Sequence, residues 1–448
     1  MRPISEPVAA ADASPSAMAW TGLCLAAVLL GSTTSVLVWL FNEAIDAIHR
    51  FAFDTVAPAL GPIGGWPTVV ILAFSGICVW LVVRNLRPAR LMAMGHIIDA
   101  VAEDGGRLDH YNGAVVVAGA AVGVGLGAPL GTDTPSAMIG SHVGSWVAAR
   151  LGWPTVFVEA LVVAGVGAGI SATFLAQLAA VFFALEVVLG GFGGIIFVVP
   201  TLLAVAAAAL TTYRLTGTPD TFAIPPAAVH WDLTLALYLI AAFAAVIAAI
   251  AYVRLMPAMK QAWLHVHLPA WARMAVAGAI VGVVGLWLPD VLGTGPSVMK
   301  SLFGGATMPL ATLLALAIAK TVLTPSVLGS GFVGGVIGPA MLIGSTVGAA
   351  VGTIVTPLCP DLGLSIPVFA MIGTTAMLAG SFQAPLFATM MIFEMVGDYR
   401  MLVPLMLAAA TGYALARPFQ TGSVYTFGFP RLGIHLRPGR FSIPGGNG

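Results

Sequence analysis

A single carboxylate, Asp133, opens a stretch that the chain writes twice. "LGTDTPSAMIGSHVG" runs from Leu130 to Gly144, and "GGVIGPAMLIGSTVG" runs from Gly334 to Gly348. Aligned on Pro135 and Pro339, the two decapeptides share Pro, Ile, Gly, Ser, Val and Gly. Proline is favoured at the first helical position, where its missing N–H would be unpaired in any case. The spacing therefore predicts helix starts near Thr134–Pro135 and Gly338–Pro339. The residues ahead of each carry backbone N–H groups without helical acceptors, and a helix start carries roughly half a positive charge. Two such ends aimed at one point would hold a small anion without a full positive charge, and so without binding it too tightly to pass it on. Asp133 then has two chemistries open to it. It caps the following helix, alone or beside Thr134, or it competes with the anion for the same donors, closing the path when ionised and opening it when protonated.

A second pair of stretches matches in the same order. "FLAQLAAVFFALE" (Phe174–Glu186) and "FQAPLFATMMIFE" (Phe382–Glu394) share Phe, Ala, Leu, Ala and Glu at equal positions. The offset is 208 residues here and 204 for the prolines, so the two halves repeat one order of elements. Glu186 and Glu394 stand late in their apolar stretches, either as helix ends or as functional carboxylates.

These residues must be positioned by a chain that is 59% hydrophobic and 8% charged, with a mean hydropathy of +1.00. Soluble domains carry about 25% charged residues, so this is a polytopic membrane protein. Its eighteen basic and eighteen acidic residues cancel, which gives nucleic acid nothing to bind. Ala17–Phe41, Trp66–Val83 and Leu233–Val253 are long enough to span a bilayer. Ala114–Leu130, Ser136–Ala149, Phe174–Gly190, Met274–Leu288, Met308–Ala319, Met341–Val355 and Leu386–Val396 are shorter or broken. Fifty-three glycines and thirty prolines favour interrupted helices, which are tolerated at membrane depth only where protein or a polar cavity receives the freed backbone groups. Short, interrupted segments at corresponding places in two repeats point to a midplane transport site. An ionisable group at that depth, as Asp133 would be, is a functional candidate by default.

The organisation expected is a tail (1–16), a first transmembrane repeat (17–210), a connection (211–232), a second repeat (233–417) and a C-terminal segment (418–448). The basic cluster "RNLRPAR" with Arg84, Arg87 and Arg90 falls on the cytoplasmic side by the positive-inside rule. Cys24, Cys78 and Cys359 fit no metal or disulfide spacing. An intramembrane enzyme is disfavoured: "LGSGF" (Leu328–Phe332) lacks the glycine a rhomboid-type serine motif needs, and no HExxH is present. The run "GVGLGAPLG" (Gly123–Gly131) is expected within an apolar helix, as small packing residues, and His142 as a packing or hydrogen-bonding side chain.

These motifs resemble the CLC family of chloride channels and proton-coupled chloride exchangers. "GTDTP" (Gly131–Pro135) is similar to the family's Gly-Lys/Arg-Glu-Gly-Pro, and "GVIGP" (Gly335–Pro339) to Gly-x-Phe-x-Pro. The Gly-Ser-Gly-Ile-Pro motif falls on "AMGHI" (Ala93–Ile97). Phe382–Leu407 is close to bacterial members, and "TGSVYTFGF" supplies a tyrosine, Tyr425. The resemblance covers roughly Ala17 to Gly428. It implies an all-α polytopic membrane fold of two inverted helical repeats with partial, broken helices. It also implies a homodimer with one pore per subunit, in the plasma (inner) membrane of a bacterium, without cofactor or metal. The anion, most simply chloride, would meet the amides around Thr132, Asp133 and Thr134, those of Val336 and Ile337, the positions Met94 and Gly95, and Tyr425. Asp133 takes the place of the gating glutamate. Val187, directly after Glu186, takes the place of a glutamate on the inner proton route of the exchangers.

The departures carry meaning. Asp133 is one methylene shorter than glutamate, so it reaches about 1.5 Å less far. Thr132 replaces a basic residue, and Thr134 replaces a glycine where a positive φ is expected to be hard to adopt. Met94 replaces a hydroxyl donor. Val187 favours a passive channel over proton-coupled exchange, unless water relays the proton. A methionine at Met94 resembles the fluoride-exporting branch, but Val336 and Gly338 lack that branch's polar residues.

Overall fold

The computed structural model describes residues 16–60, 65–84, 93–217, 233–420 and 422–427. The tail, Arg87 and Arg90, most of the expected connection and the chain after 427 lie outside these. Among the described residues the regular structure is helical, and nine helices are long and apolar enough to cross a membrane.

The first half begins with α1 (Ala17–Arg50), which runs on through a π turn (Phe51–Val56) into α2 (Ala57–Ala59), well past the expected end at Phe41. Next come α3 (Trp66–Val83), the short α4 (Ala93–Ala102) and α5 (His110–Gly125). They are followed by α6 (Asp133–Arg150), α7 (Thr155–Phe174), α8 (Gln177–Phe182, prolonged by a π turn over Phe183–Val188) and α9 (Ile195–Thr216). The second half holds α10 (Leu233–His265), α11 (Ala270–Trp287), α12 (Pro296–Phe303) and α13 (Leu310–Ser330). It closes with α14 (Ile337–Val355), α15 (Ile366–Phe382), α16 (Pro385–Val396) and α17 (Leu402–Ala416). Helix α9 continues past residue 210, so helical structure reaches into the segment expected to connect the halves.

The glycine run expected inside a helix is only partly so. Helix α5 ends at Gly125 and Gly127 has φ +90°, so the chain leaves the helix and approaches Asp133 as irregular backbone. The reason is conformational: a left-handed residue cannot continue a right-handed helix, and glycine adopts it without strain.

The halves are inverted, and their interface shows it. Gly131 and Gly335, at corresponding places in the repeated motif, exchange both backbone hydrogen bonds (2.8 and 2.7 Å) as one antiparallel bridge. A reciprocal antiparallel pair has a local two-fold axis, so the segments leading into α6 and α14 meet here as related copies. The same relation holds at the second pair of motifs. The Glu186 carboxylate accepts from the amides of Leu386 (3.3 Å) and Phe387 (2.8 Å) at the start of α16. Glu394 accepts from Leu178 and Ala179 (2.8 Å each) at the start of α8. Each glutamate therefore caps the other repeat's broken helix.

Packing inside each repeat follows small residues. Gly140 and Gly144 of α6 lie against the backbone of α7, and Gly344 and Gly348 of α14 lie against that of α15, so a side chain at any of them would strike main-chain atoms. In lipid, helices associate through such close contact because no hydrophobic drive separates helix from tail. Helices α7 and α15 are accordingly the most enclosed, with Ala160–Ala172 and Pro367–Phe382 buried throughout.

Candidate anion-binding site

Helix α6 starts at Asp133 and α14 at Ile337, each within two residues of the position that proline predicts. Both helix starts face the same point, and the Asp133 side chain occupies it. Its carboxylate is fully buried. It accepts from the Val336 amide (3.1 Å), the Ile337 amide (3.3 Å to each oxygen) and the Thr134 hydroxyl (3.3 Å). The cap position of its own helix, Thr132, has no side-chain cap bond. Beyond the amide of its own residue at the start of α6, the Asp133 carboxylate sits in the field of the opposite helix start, where two donors and the α14 dipole offset its burial. Gly335 makes this approach possible, since a Cβ there would overlap the carboxylate.

Thr134 lies within the helical run of α6, and the only non-glycine residues with positive φ among the described residues are Leu175 and Gln383. The strain expected from threonine in place of glycine is absent, because a helical position needs no left-handed backbone.

Two cavities flank the carboxylate. One, of about 140 Å³, is lined by Met94, Gly95, Thr134, Val336 and Tyr425 together with Met256 and Lys260. The other, of about 160 Å³, is lined by Thr132, Asp133, Gly338, Thr294, Met299 and Met341 among others. Helix α4, which brings Met94 and Gly95 to the first cavity, follows the basic cluster at the end of α3. Following the positive-inside expectation for that cluster, the first is named the inner cavity and the other the outer one. The structure thus brings together the predicted residues Met94, Gly95, Thr132, Asp133, Thr134, Val336, Ile337 and Tyr425 as one line of cavity walls and hydrogen-bond partners beside Asp133.

Tyr425 is buried, with its ring against Phe382 (5.5 Å between centroids) and Phe183 (6.4 Å). Its hydroxyl lies against the Thr134 side chain, near Asp133 and Tyr252. The segment that carries it is pinned by the Val424 amide on the Ser381 carbonyl (2.8 Å).

Val187 lies outside this line. It is half-buried in the π turn of α8, beside Glu186, whose carboxylate is spent on capping α16. His142 hydrogen-bonds the Met138 carbonyl of its own helix through Nδ1 (2.8 Å), as a packing residue does.

Three side chains of the site escape sequence reasoning. Tyr252 of α10 is fully buried and donates to the Val336 carbonyl (3.3 Å), steadying the peptide next to the amides that hold Asp133. Lys320 of α13 is fully buried and donates to the carbonyls of Val291 (2.8 Å) and Gly293 (2.5 Å). One turn on, Thr324 donates to the Pro129 carbonyl (2.8 Å). This face of α13 holds both irregular segments that approach the outer cavity. The available signal was a tyrosine, a lysine and a threonine inside apolar spans, each needing a buried partner.

Comparison with known proteins gives the family and the fold. Residues 74–417 match the family described as voltage gated chloride channel. A ClcB-like chloride channel protein of Ralstonia nicotianae is 31% identical over 339 residues, covering 73% of this chain and 77% of its own. The fold is that of a slow cyanobacterial Cl-/H+ antiporter (TM-score 0.80, 20% identity, 90% of this chain and 96% of the other). It is also that of a CLC-type fluoride/proton antiporter (TM-score 0.77, 20% identity, 92% and 99%).

Proposed function

This chain belongs to the voltage-gated chloride channel (CLC) family of integral membrane anion transporters and channels, and we propose that it passes small anions, chloride among them, through one pore per subunit gated by Asp133. The observation that carries the reading is the carboxylate on the Val336 and Ile337 amides, between two cavities. The carboxylate is itself an anion, held by donors that a chloride would otherwise use. In this arrangement the path is shut, and an anion or a proton must displace or neutralise the side chain to open it.

Passive conduction is the preferred mode. Val187 offers no ionisable group on the inner side and Glu186 is committed to capping, so neither residue carries a proton inward from Asp133. Proton-coupled exchange is the second reading. It is favoured by the burial of Asp133 in its shut position, because releasing a buried carboxylate is easiest with a proton on it. Fluoride export is disfavoured by Val336 and Gly338 in the second-half motif. The bacterial plasma membrane is the proposed location and a homodimer the proposed assembly, in contact with lipid.

The test is chloride efflux from liposomes containing the purified protein, with valinomycin clamping the voltage and external pH recorded. Chloride movement without proton movement supports the channel. Uphill proton movement driven by a chloride gradient replaces it with exchange, and absence of chloride flux rejects both.

A further inference from the structure

We propose that the turn between α10 and α11, with the end of α3 beside it, is a binding surface for an anionic phospholipid, held by its phosphate. The observation is a basic surface built on helices without carboxylates. From Leu233 to Pro289 the chain carries Arg254, Lys260, His265, His267 and Arg273 and not one Asp or Glu. Helices α3 and α13, which pack against α11, hold no Asp or Glu either. Arg254 is drawn away to the Phe419 carbonyl (2.9 Å), and Lys260 lines the inner cavity. Arg273 stays at the turn. Its Nη1 donates to the Trp263 carbonyl (3.2 Å), and its Nε has no acceptor among the described residues.

Arg84 comes to the same end of the molecule. Gly76 of α3 lies against the backbone of Met274 and Ala275, while Gly278 of α11 lies against Leu72 and Gly282 against Val69. The two helices are therefore antiparallel, and the last turn of α3 reaches the first turn of α11. Arg84 is exposed, with its guanidinium 5.8 Å from the centre of the Trp80 ring. Around these groups the turn is apolar and faces outward: Leu264 is 63% exposed, Trp271 45% and Leu268 41%. Such side chains enter the acyl boundary while the cations stay at headgroup level. A guanidinium grips a phosphate through two N–H groups at once. With no carboxylate on these helices, nothing there repels an anionic headgroup, and a basic surface beside a membrane helix end attracts one. A choline headgroup cancels its own phosphate and gains less.

The test is the thermal midpoint of the purified chain in neutral detergent as dioleoylphosphatidylglycerol or dioleoylphosphatidylcholine is added. A ligand that binds only the folded state raises the midpoint with its occupancy. The glycerol lipid is expected to raise it by about 3–5 °C and the choline lipid to leave it nearly unchanged. The double variant Arg84→Gln, Arg273→Gln is expected to lose at least half of that rise. Should it not fold, Arg84→Gln with Trp271→Ala, both at exposed positions, tests the same surface. Arg150→Gln removes an exposed arginine stacked on Trp146 (5.1 Å) elsewhere and is expected to keep the rise. An equal rise with both lipids, an undiminished rise in the surface variant, or an equal loss in Arg150→Gln overturns the site. A rise reproduced by glycerol 3-phosphate alone assigns the surface to free phosphates and overturns the lipid.

Discussion

Asp133 accepts from two amides across the inter-repeat interface, and bonds of this charge-assisted kind contribute about 1.5–3 kcal/mol each. Removing the carboxylate frees those donors for an anion and removes the group that protonation would switch. Asp133→Ala is therefore expected to raise chloride flux on the order of tenfold and to flatten its dependence on pH, with proton movement lost. Liposome efflux at external pH 5 and 8 measures both effects; a variant as slow and as pH-dependent as the parent removes Asp133 from the gate. Tyr252 acts one bond further away. Tyr252→Phe keeps the ring and loses the hydrogen bond to Val336, a change of about 1 kcal/mol, so chloride affinity is expected to fall roughly fivefold. Isothermal titration of chloride in detergent reads this directly, and an unchanged affinity would make Tyr252 a packing residue.

At the scale of elements, broken helices need caps from elsewhere. Helix α8 is short, and its first N–H groups need acceptors wherever lipid or protein replaces water around them. Glu394 supplies the acceptor from the other repeat, so Glu394→Gln weakens the cap and is expected to cost about 1–2 kcal/mol. A thermal midpoint several degrees lower in detergent is the expected result, and an unaltered midpoint would contradict the capping role. Helix α4 carries a different feature at its end. Burial, with Glu103 and Asp104 nearby, pushes the Asp99 carboxyl up to about 6 from an ordinary value of 3.8. The folded state thus binds this proton more tightly than the unfolded state does. The stability it contributes is complete below about pH 3.8 and is lost as pH rises through about 6. Asp99→Asn is expected to stabilise the protein by about 1 kcal/mol at pH 8, a figure reduced for partial exposure, and to leave it unchanged near pH 4. Thermal melts at the two pH values decide this, and an equal effect at both would contradict it.

The whole molecule presents apolar side chains outward, among them Ile195, Leu202, Leu210 and Met406 on α9 and α17. Lipid satisfies such a face as well as a second subunit does, so the assembly follows from family resemblance rather than from hydrophobic exposure. The protein is expected to purify in detergent at about twice its chain mass of 45.7 kDa, as read by light scattering after detergent correction. A stable, fully active monomer would reject the dimer. Each subunit already contains both helix starts, both cavities and the carboxylate, so the flux per subunit is expected to be independent of its partner.

The chain's own sequence determined the membrane class, the repeated helix starts at Pro135 and Pro339 and the lone carboxylate ahead of the first, because hydropathy, proline and spacing act locally. It also paired Glu186 with Glu394, without revealing what either touches. Only the tertiary structure decided that Asp133 bonds amides 203 and 204 positions away. The same holds for the exchange of caps between Glu186 and Glu394, and for Tyr252 and Lys320 reaching carbonyls of distant segments. Those contacts depend on how two inverted halves meet. Local propensity fixes where a helix begins, but the direction in which its end points, and the group that fills the space before it, are set by the packing of elements far apart in the chain.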